Sequence, residues 1–309
     1  MTVQGQEYGI GKRAPTPRSG QIAEAKPHAG RHILIIVENL PLPFDRRVWQ
    51  ECLTLRAAGA QVAVICPTGK SFEARYEEIE GVHIYRHSLP LDAKGALGYV
   101  LEYGAALFHE MRLALKILRR HGFDTIQACN PPDLIFLVAA PFKLFGKRFI
   151  FDHHDINPEL YEAKFGKRGF FWRLMVLLER LTFRSADVII STNNSYREIA
   201  MTRGGRAAED IFVVRSGPNL NRLYPRRPNP AWKNGRAAMV AYVGVMGDQE
   251  GLDLLLEAAH TLVFVQGRDV QFVLVGGGPS LQGVQDQCQA MGLQDHVTFT
   301  GRAPDDDLF

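Results

Sequence analysis

The 309-residue chain has no cysteine pair at Cys-x-x-Cys spacing; its four cysteines, Cys52, Cys66, Cys129 and Cys288, lie far apart. Such spacing builds neither a zinc knuckle nor a disulfide framework and points to a reducing cytoplasm. Bulk charge is also missing. With 36 basic and 33 acidic residues the net charge is +3, which excludes nucleic-acid binding driven by an overall positive field. No segment reaches the ~20 apolar residues of a membrane span without an interrupting charge. Residues 1–30, rich in Gly, Pro and basic residues, lack the apolar run of a signal peptide and read as a disordered, mildly basic tail. The first apolar run leads into Glu38-Asn39-Leu40-Pro41-Leu42-Pro43-Phe44, which contains no glycine, so the dinucleotide fingerprint of an NAD enzyme is absent.

What is present is an alternation of short β-rich runs with helix-length amphipathic stretches, and an apolar fraction of 46%, enough for two cores. Strands are expected at 33–37, 62–66, 82–86, 124–128, 148–152 and 187–191. Most are apolar on both sides, as a parallel sheet covered on two faces requires. Helices are expected at 46–58, 98–120 and 170–184. This βαβ pattern predicts an α/β, doubly wound domain over 31–215. Pro218, Pro225, Pro228 and Pro230 then interrupt it, marking a linker over 216–235. A second β/α series, with strands at 239–243, 271–275 and 296–300, fills 236–309. Three strands make a small, one-sided domain, so the chain reads as truncated.

Chemistry gathers after the run 148–151, where Asp152-His153-His154-Asp155-Ile156-Asn157-Pro158-Glu159 follows a buried strand. Ligands collect at that edge of open α/β sheets. The two imidazoles are candidates for general acid or base or for hydrogen bonds to sugar or phosphate; the alternative is a histidine satisfied by backbone carbonyls in a tight turn. A metal pair is disfavoured, because neighbours in an extended chain point to opposite faces. Asn130 and Asp133 follow another strand at the same edge, Asn130 as a ligand contact and Asp133 as a helix cap. Arg46 and Arg47 open a helix capped by Asp45, where cations oppose the macrodipole. They read either as contacts to an anionic acceptor or phosphate or as solvated surface arginines. Two glycine-rich turns, at Gly244 and Gly247 and at Gly276, Gly277 and Gly278, each lead from a strand into a helix, and glycine there admits a phosphate to the backbone. The run Asp305-Asp306-Asp307 reads as a helix first turn rather than a metal site.

Together, His154-Asp155, Val213-Val214-Arg215-Ser216-Gly217-Pro218-Asn219, Tyr242-Val243-Gly244, Glu250-Gly251, Leu274-Val275-Gly276-Gly277-Gly278-Pro279 and Val297-Thr298-Phe299-Thr300-Gly301 resemble the family 4 glycosyltransferases in order and spacing. Members that build surface polysaccharides or lipid-linked oligosaccharides are the most similar. The resemblance implies a GT-B fold of two Rossmann-like domains, the second incomplete here, and a retaining, metal-independent transfer that needs no cofactor. It implies a nucleotide-diphosphate sugar as donor, a lipid-linked or polysaccharide acceptor, His154 at the donor sugar, and diphosphate on the glycine loops. Arg46, Arg47, Asn130, His153 and Asp155 would serve the acceptor or phosphate. Three departures stand out. Pro41-Leu42-Pro43-Phe44 replaces a glycine pair, Val245 and Glu250 occupy the usual basic positions, and the family's paired glutamates would lie beyond Phe309, leaving the chain inactive by itself. A sugar-nucleotide 2-epimerase of the same fold and a non-catalytic sugar-nucleotide or polysaccharide binding fragment are the alternatives. Finally, the stretch 167–184 places Arg173, Arg180 and Arg184 on one helical face, beside Lys164, Lys167, Arg168 and the aromatic residues 170–172. It reads either as a core helix with a basic stripe or as a segment meeting an anionic membrane surface from the cytoplasm.

Overall fold

A computed structural model describes residues 26–88, 95–217 and 229–303, without the side chains of 95–103. Most of the expected tail, the middle of the proline-rich linker and the acidic run at 305–307 lie outside these residues. The chain divides into two compact units, Met1–Arg215 and Ser216–Phe309.

In the first unit, β1 (His32–Ile36), β2 (Gln61–Pro67), β3 (Tyr76–Ile79), β4 (Val82–His87), β5 (Thr125–Cys129), β6 (Arg148–His153), β7 (Val188–Ser191) and β8 (Ile211–Val213) form one sheet in the order β3-β4-β2-β1-β5-β6-β7-β8. All pairings are parallel except β3 with β4. The period-2 alternation buries both faces. Leu34 and Ile36 pack with Leu113, Ile117 and Phe149 on one side, while Ile35 and Val37 meet Val48 and Cys52 on the other. The latter two belong to α1 (Arg46–Ala57), whose cap is Asp45, its carboxylate accepting from the Val48 N–H at 3.1 Å. Leu113 and Ile117 belong to α2 (Gly95–Arg120), which shares its side of the sheet with α3 (Phe136–Lys143), α5 (Phe170–Ser185) and α6 (Asn194–Thr202); α4 (Asn157–Phe165) precedes α5 and packs on it.

Two strands escape the hydrophobic pattern. Edge strand β3 is Tyr-Glu-Glu-Ile and half-exposed, and β8 has three residues. Both are too short or too polar to register as apolar runs. Strand order reverses between β1 and β5, since β1 has β2 on one side and β5 on the other. At such a switch point the loops leaving the carboxyl ends diverge and open a crevice. Residues 38–45 and 130–135 are those loops, with 154–156 beside them.

The second unit holds a parallel sheet, β9 (Ala238–Val245), β10 (Val270–Gly277) and β11 (Val297–Gly301), in the order β11-β10-β9. Helices α7 (Leu252–His260) and α8 (Leu281–Ala290) contribute to a core of Leu252, Leu256, Phe272, Leu274, Val284 and Val297.

Candidate active site

Strand alternation separates the two adjacent histidines. Phe149, Phe151 and His153 point to the α2–α5 side, whereas Asp152 and His154 point toward α1. His153 is fully buried among the rings of Phe151, Phe183 and Tyr196, with Glu179 Oε1 at 3.7 Å. Burial, with help from the Arg203 charge, lowers its pKa to about 3. A neutral core imidazole cannot meet an acceptor or phosphate, which corrects the ligand role expected of His153.

His154 belongs to a different assembly. Asp152 is fully buried, and three parts of the chain converge on it. Arg47 Nη2 donates to Asp152 Oδ1 at 3.2 Å, and Gln127 Nε2 donates to Asp152 Oδ2 at 3.0 Å. His154 Nε2 lies 3.0 Å from the same oxygen. Glu51, one helical turn after Arg47, sits 3.3 Å from Arg47 Nε and accepts from Gln127 Nε2 at 2.8 Å. Burial alone would raise the Asp152 carboxyl, but the His154 hydrogen bond and the charges of His154 and Arg47 outweigh it and hold it below its ordinary range. Glu51 goes the other way, pushed to about 8 by burial and by the Asp152 charge. The negative charge therefore rests on Asp152 and a proton on Glu51.

This polarity orients the imidazole. Arg47 Nε donates to His154 Nε2 at 2.9 Å. The Asp152 carboxylate and the Arg47 guanidinium thus both hold Nε2 and fix the ring between them. Burial pulls the His154 pKa down, but Asp152 more than compensates, and the net shift is upward. Nδ1 then has no partner among the described residues, on a ring 14% exposed. On this partly exposed ring it is available to a ligand.

Arg47 is thus turned onto the protein's own carboxylates and onto the Val214 carbonyl at 3.2 Å, neither solvated nor held out for phosphate. Arg46 remains exposed. Cys129, Asp152 and His154 place three ligand-type atoms within 4.8 Å of one another. A metal fits poorly there, because the Arg47 cation contacts two of the three and burial keeps the Cys129 thiol protonated.

Asn130 also differs from expectation. Its Oδ1 accepts from the backbone N–H of His154 at 2.7 Å and of Asp155 at 3.1 Å, while Nδ2 donates to Asp133 Oδ1 and to the Asp155 carbonyl. All four bonds of the amide are used inside the protein, so Asn130 shapes the loop and meets no ligand. Asp133 caps no helix; it accepts from Asn130 and Asn157, and burial raises its pKa to about 6. Asp155 stays half-buried at the loop surface, its carboxyl raised by burial. Glu51 and Gln127 were not among the residues singled out from sequence, and Asp152 appeared there only as part of the run 152–159, without a role of its own. Their signals were the Arg47–Glu51 spacing and a carboxylate inside an apolar strand.

In the second unit the glycine turns are sewn together. Met246 N donates to the Gly277 carbonyl and Ser280 N to the Met246 carbonyl, both at 3.0 Å. A Cβ on Gly276, which adopts φ +138°, would stand 1.9 Å from the Gly244 carbonyl oxygen. One on Gly278 would stand 2.3 Å from the Met246 carbonyl oxygen. These two glycines serve loop-to-loop contact. Gly277 instead faces open space, and Gly247 meets only the flexible Gln249 side chain. Beside the turns lies a cavity of about 590 Å³ lined by Gly247, Asp248, Leu252, Asp253, Ser280 and Gly283. Its charged walls are carboxylates, so an anion bound at these turns depends on backbone N–H groups and helix N-termini.

The sequence profile of Glycosyltransferase Family 4 matches residues 45–222, and that of Glycosyl transferases group 1 matches residues 227–309. The chain belongs to glycosyltransferase family 4. Among curated relatives, 2-deoxystreptamine glucosyltransferase of Streptomyces kanamyceticus is 24% identical over 74% of this chain and 61% of its own length. Alpha-D-kanosaminyltransferase of the same organism is 41% identical over 20% of this chain and 16% of its own. The chain thus spans less than two thirds of either relative. The fold is GT-B. Sucrose-phosphate synthase of Thermosynechococcus elongatus superposes with a TM-score of 0.66 at 18% identity, covering 90% of this chain and 72% of that one. WaaG, a glycosyltransferase involved in lipopolysaccharide biosynthesis, gives 0.61 at 17%, covering 88% and 70%. HepE of Anabaena in complex with UDP and glucose gives 0.60 at 18%, covering 89% and 70%.

Proposed function

We propose that this family 4 glycosyltransferase moves a sugar, with retention at its anomeric carbon and without a metal ion, from a nucleotide-diphosphate sugar to a lipid-linked or polysaccharide acceptor in the cytoplasm. The observation that carries the proposal is His154, whose Nε2 is held by the buried Asp152 carboxylate and by Arg47 while the ring stays 14% exposed. As the bond from the sugar to diphosphate breaks, the anomeric carbon gains positive character. A fixed imidazole orients the sugar and contributes electrostatically. Asp152, Arg47, Glu51 and Gln127 act as positioning residues behind it. The donor diphosphate is assigned to the turns at Gly244–Gly247 and Gly276–Gly278, with Gly277 at the point of closest approach; HepE, of the same fold, holds UDP and glucose.

The test is nucleoside-diphosphate release from a panel of UDP- and GDP-sugars by a protein containing this sequence. His154→Ala should reduce turnover about 100-fold, and Asp152→Asn should do so with a shifted pH profile. Equal rates for wild type and His154→Ala would refute the assignment. A lipid-linked acceptor is favoured over a small soluble one, such as that in the name of the 2-deoxystreptamine relative, by the outer face of α5.

A further inference from the structure

Helix α5 has an unusual distribution of residues. Its inner side is Val176, Glu179, Thr182 and Phe183, all buried. Thr182 donates to the Asp133 carbonyl at 2.6 Å, and Glu179 accepts from Arg203 at 2.7 Å. Glu179 is the helix's only acid, so the one negative charge is turned inward. The outer side carries Phe170, Leu174, Leu177 and Leu181, spaced at 4, 3 and 4 residues and all exposed, with Phe170 at 74% and Leu177 at 51%. Arg173, Arg180 and Arg184 border this stripe and are exposed as well. The helix is therefore apolar and cationic on its outer side, with its one acid turned inward.

The surface continues at both ends. Phe171 and, at the end of α4, Phe165 are exposed beside Lys164 and Lys167. Lys143 Nζ at the end of α3 donates to the Ser185 carbonyl at the end of α5, and the next two residues, Leu144 and Phe145, are exposed at 86% and 80%. A water-facing helix normally places such residues against the sheet, and contiguous apolar exposure of this kind marks a contact surface. A protein partner would need acidic groups matched to each arginine. A fluid bilayer with anionic headgroups supplies apolar depth for the leucine and phenylalanine stripe and negative charge along its border, without a fixed pattern.

We propose that the outer face of α5, with the ends of α3 and α4, is a docking surface for an anionic lipid bilayer. The helix lies in the interface with the stripe Phe170-Leu174-Leu177-Leu181 toward the acyl chains and Arg173, Arg180, Arg184, Lys164 and Lys167 at the headgroups. The surface is independent of the glycosyl-transfer reading; only the inference of a lipid-borne acceptor rests on both.

The experiment is co-sedimentation of the chain with vesicles of phosphatidylglycerol and phosphatidylcholine, without donor or acceptor, while UDP and GDP affinities are measured separately by calorimetry. Binding to vesicles holding half phosphatidylglycerol at 50 mM salt is expected, with loss on pure phosphatidylcholine or at 0.5 M salt. Lys164→Gln and Lys167→Gln should each weaken partitioning about fivefold, and Leu177→Glu should abolish it. These positions are exposed, so circular dichroism melting should match wild type. Absence of binding to anionic vesicles overturns the proposal, as does equal binding to neutral ones or binding unchanged by Leu177→Glu. A concentration-dependent dimer dissolved by Leu177→Glu, without vesicle binding, would assign the face to a second copy and also overturn it. Nucleotide binding is read in its own arm, so failure on vesicles leaves the donor site standing, and the reverse holds.

Discussion

Replacing Gly277 and Gly278 one at a time separates a glycine kept for a ligand from one kept for the fold. At Gly278 an added Cβ falls 2.3 Å from the Met246 carbonyl oxygen and 2.7 Å from its nitrogen, both backbone atoms. Those atoms take part in the two hydrogen bonds that join the turns. Relieving the overlap costs about 1–3 kcal/mol as overpacking, and each hydrogen bond lost costs about 1 kcal/mol more. Gly278→Ala should therefore destabilise the second unit by about 3–5 kcal/mol, with a drop of more than about 10 °C in its melting transition. At Gly277 nothing lies within 4 Å of the added atom. Gly277→Val should leave melting within about 0.5 kcal/mol and still lower UDP or GDP affinity at least tenfold, because the side chain fills the approach to the backbone. Differential scanning calorimetry and titration calorimetry read the two effects independently. Unchanged nucleotide affinity in folded Gly277→Val, or a Gly278→Ala variant as stable as wild type, would refute the division of roles.

Arg203 binds Glu159 through two nitrogens and also holds the fully buried Glu179. Arg203→Met strands that carboxylate and should cost about 3–5 kcal/mol in urea denaturation; a loss below 1 kcal/mol would contradict an obligatory pair. Glu110 is fully buried with neither oxygen hydrogen-bonded among the described residues, and burial and Glu38 raise its pKa well above normal. Glu110→Met should leave stability unchanged or raise it by about 1–3 kcal/mol, and a clear loss would show an overlooked interaction. In pH titrations, Glu179 and Glu51 have folded pKa values of about 7 and about 8, above the unfolded carboxylate value. Their contribution is complete below the unfolded value and disappears as pH rises toward 7 and 8. His87 and His153, depressed to about 4 and about 3, contribute above the unfolded imidazole value and lose that contribution as pH falls. The carboxyl loss and the imidazole gain oppose each other below the unfolded imidazole value, and above it only the loss remains, so the first unit should weaken as pH rises from about 6.5 to 8. Glu51→Gln should flatten the alkaline fall, and an alkaline increase in wild-type stability would reverse the argued sign.

The β/α alternation and the loop after β6 were legible because apolar runs and strand ends leave local marks. Alternation also contained the separation of His153 from His154. What sequence could not reveal was which groups Asp152 meets, because Gln127 and Arg47 reach it only through the β5–β6 register and the placement of α1. Glycine-rich turns were visible as turns, yet a glycine serving a ligand and one serving a neighbouring carbonyl look identical in sequence. In α5, apolar residues occupy both sides of the helix, so periodicity alone could not say which stripe faces the sheet. The partner of Glu179, Arg203 on a later segment, resolves it in three dimensions.

The Asp152 carboxylate is paired with Arg47, 105 positions earlier, and hydrogen-bonded by Gln127, 25 positions earlier. His154 meets Arg47 across 107 positions. Loops of that length close late, after β1, β5 and β6 have come into register. The orientation of His154 consequently depends on the assembled sheet and is expected to follow it in folding. During synthesis a nascent chain can bury much of its apolar surface while holding no ordered imidazole, and competence at this histidine becomes a late marker of complete folding.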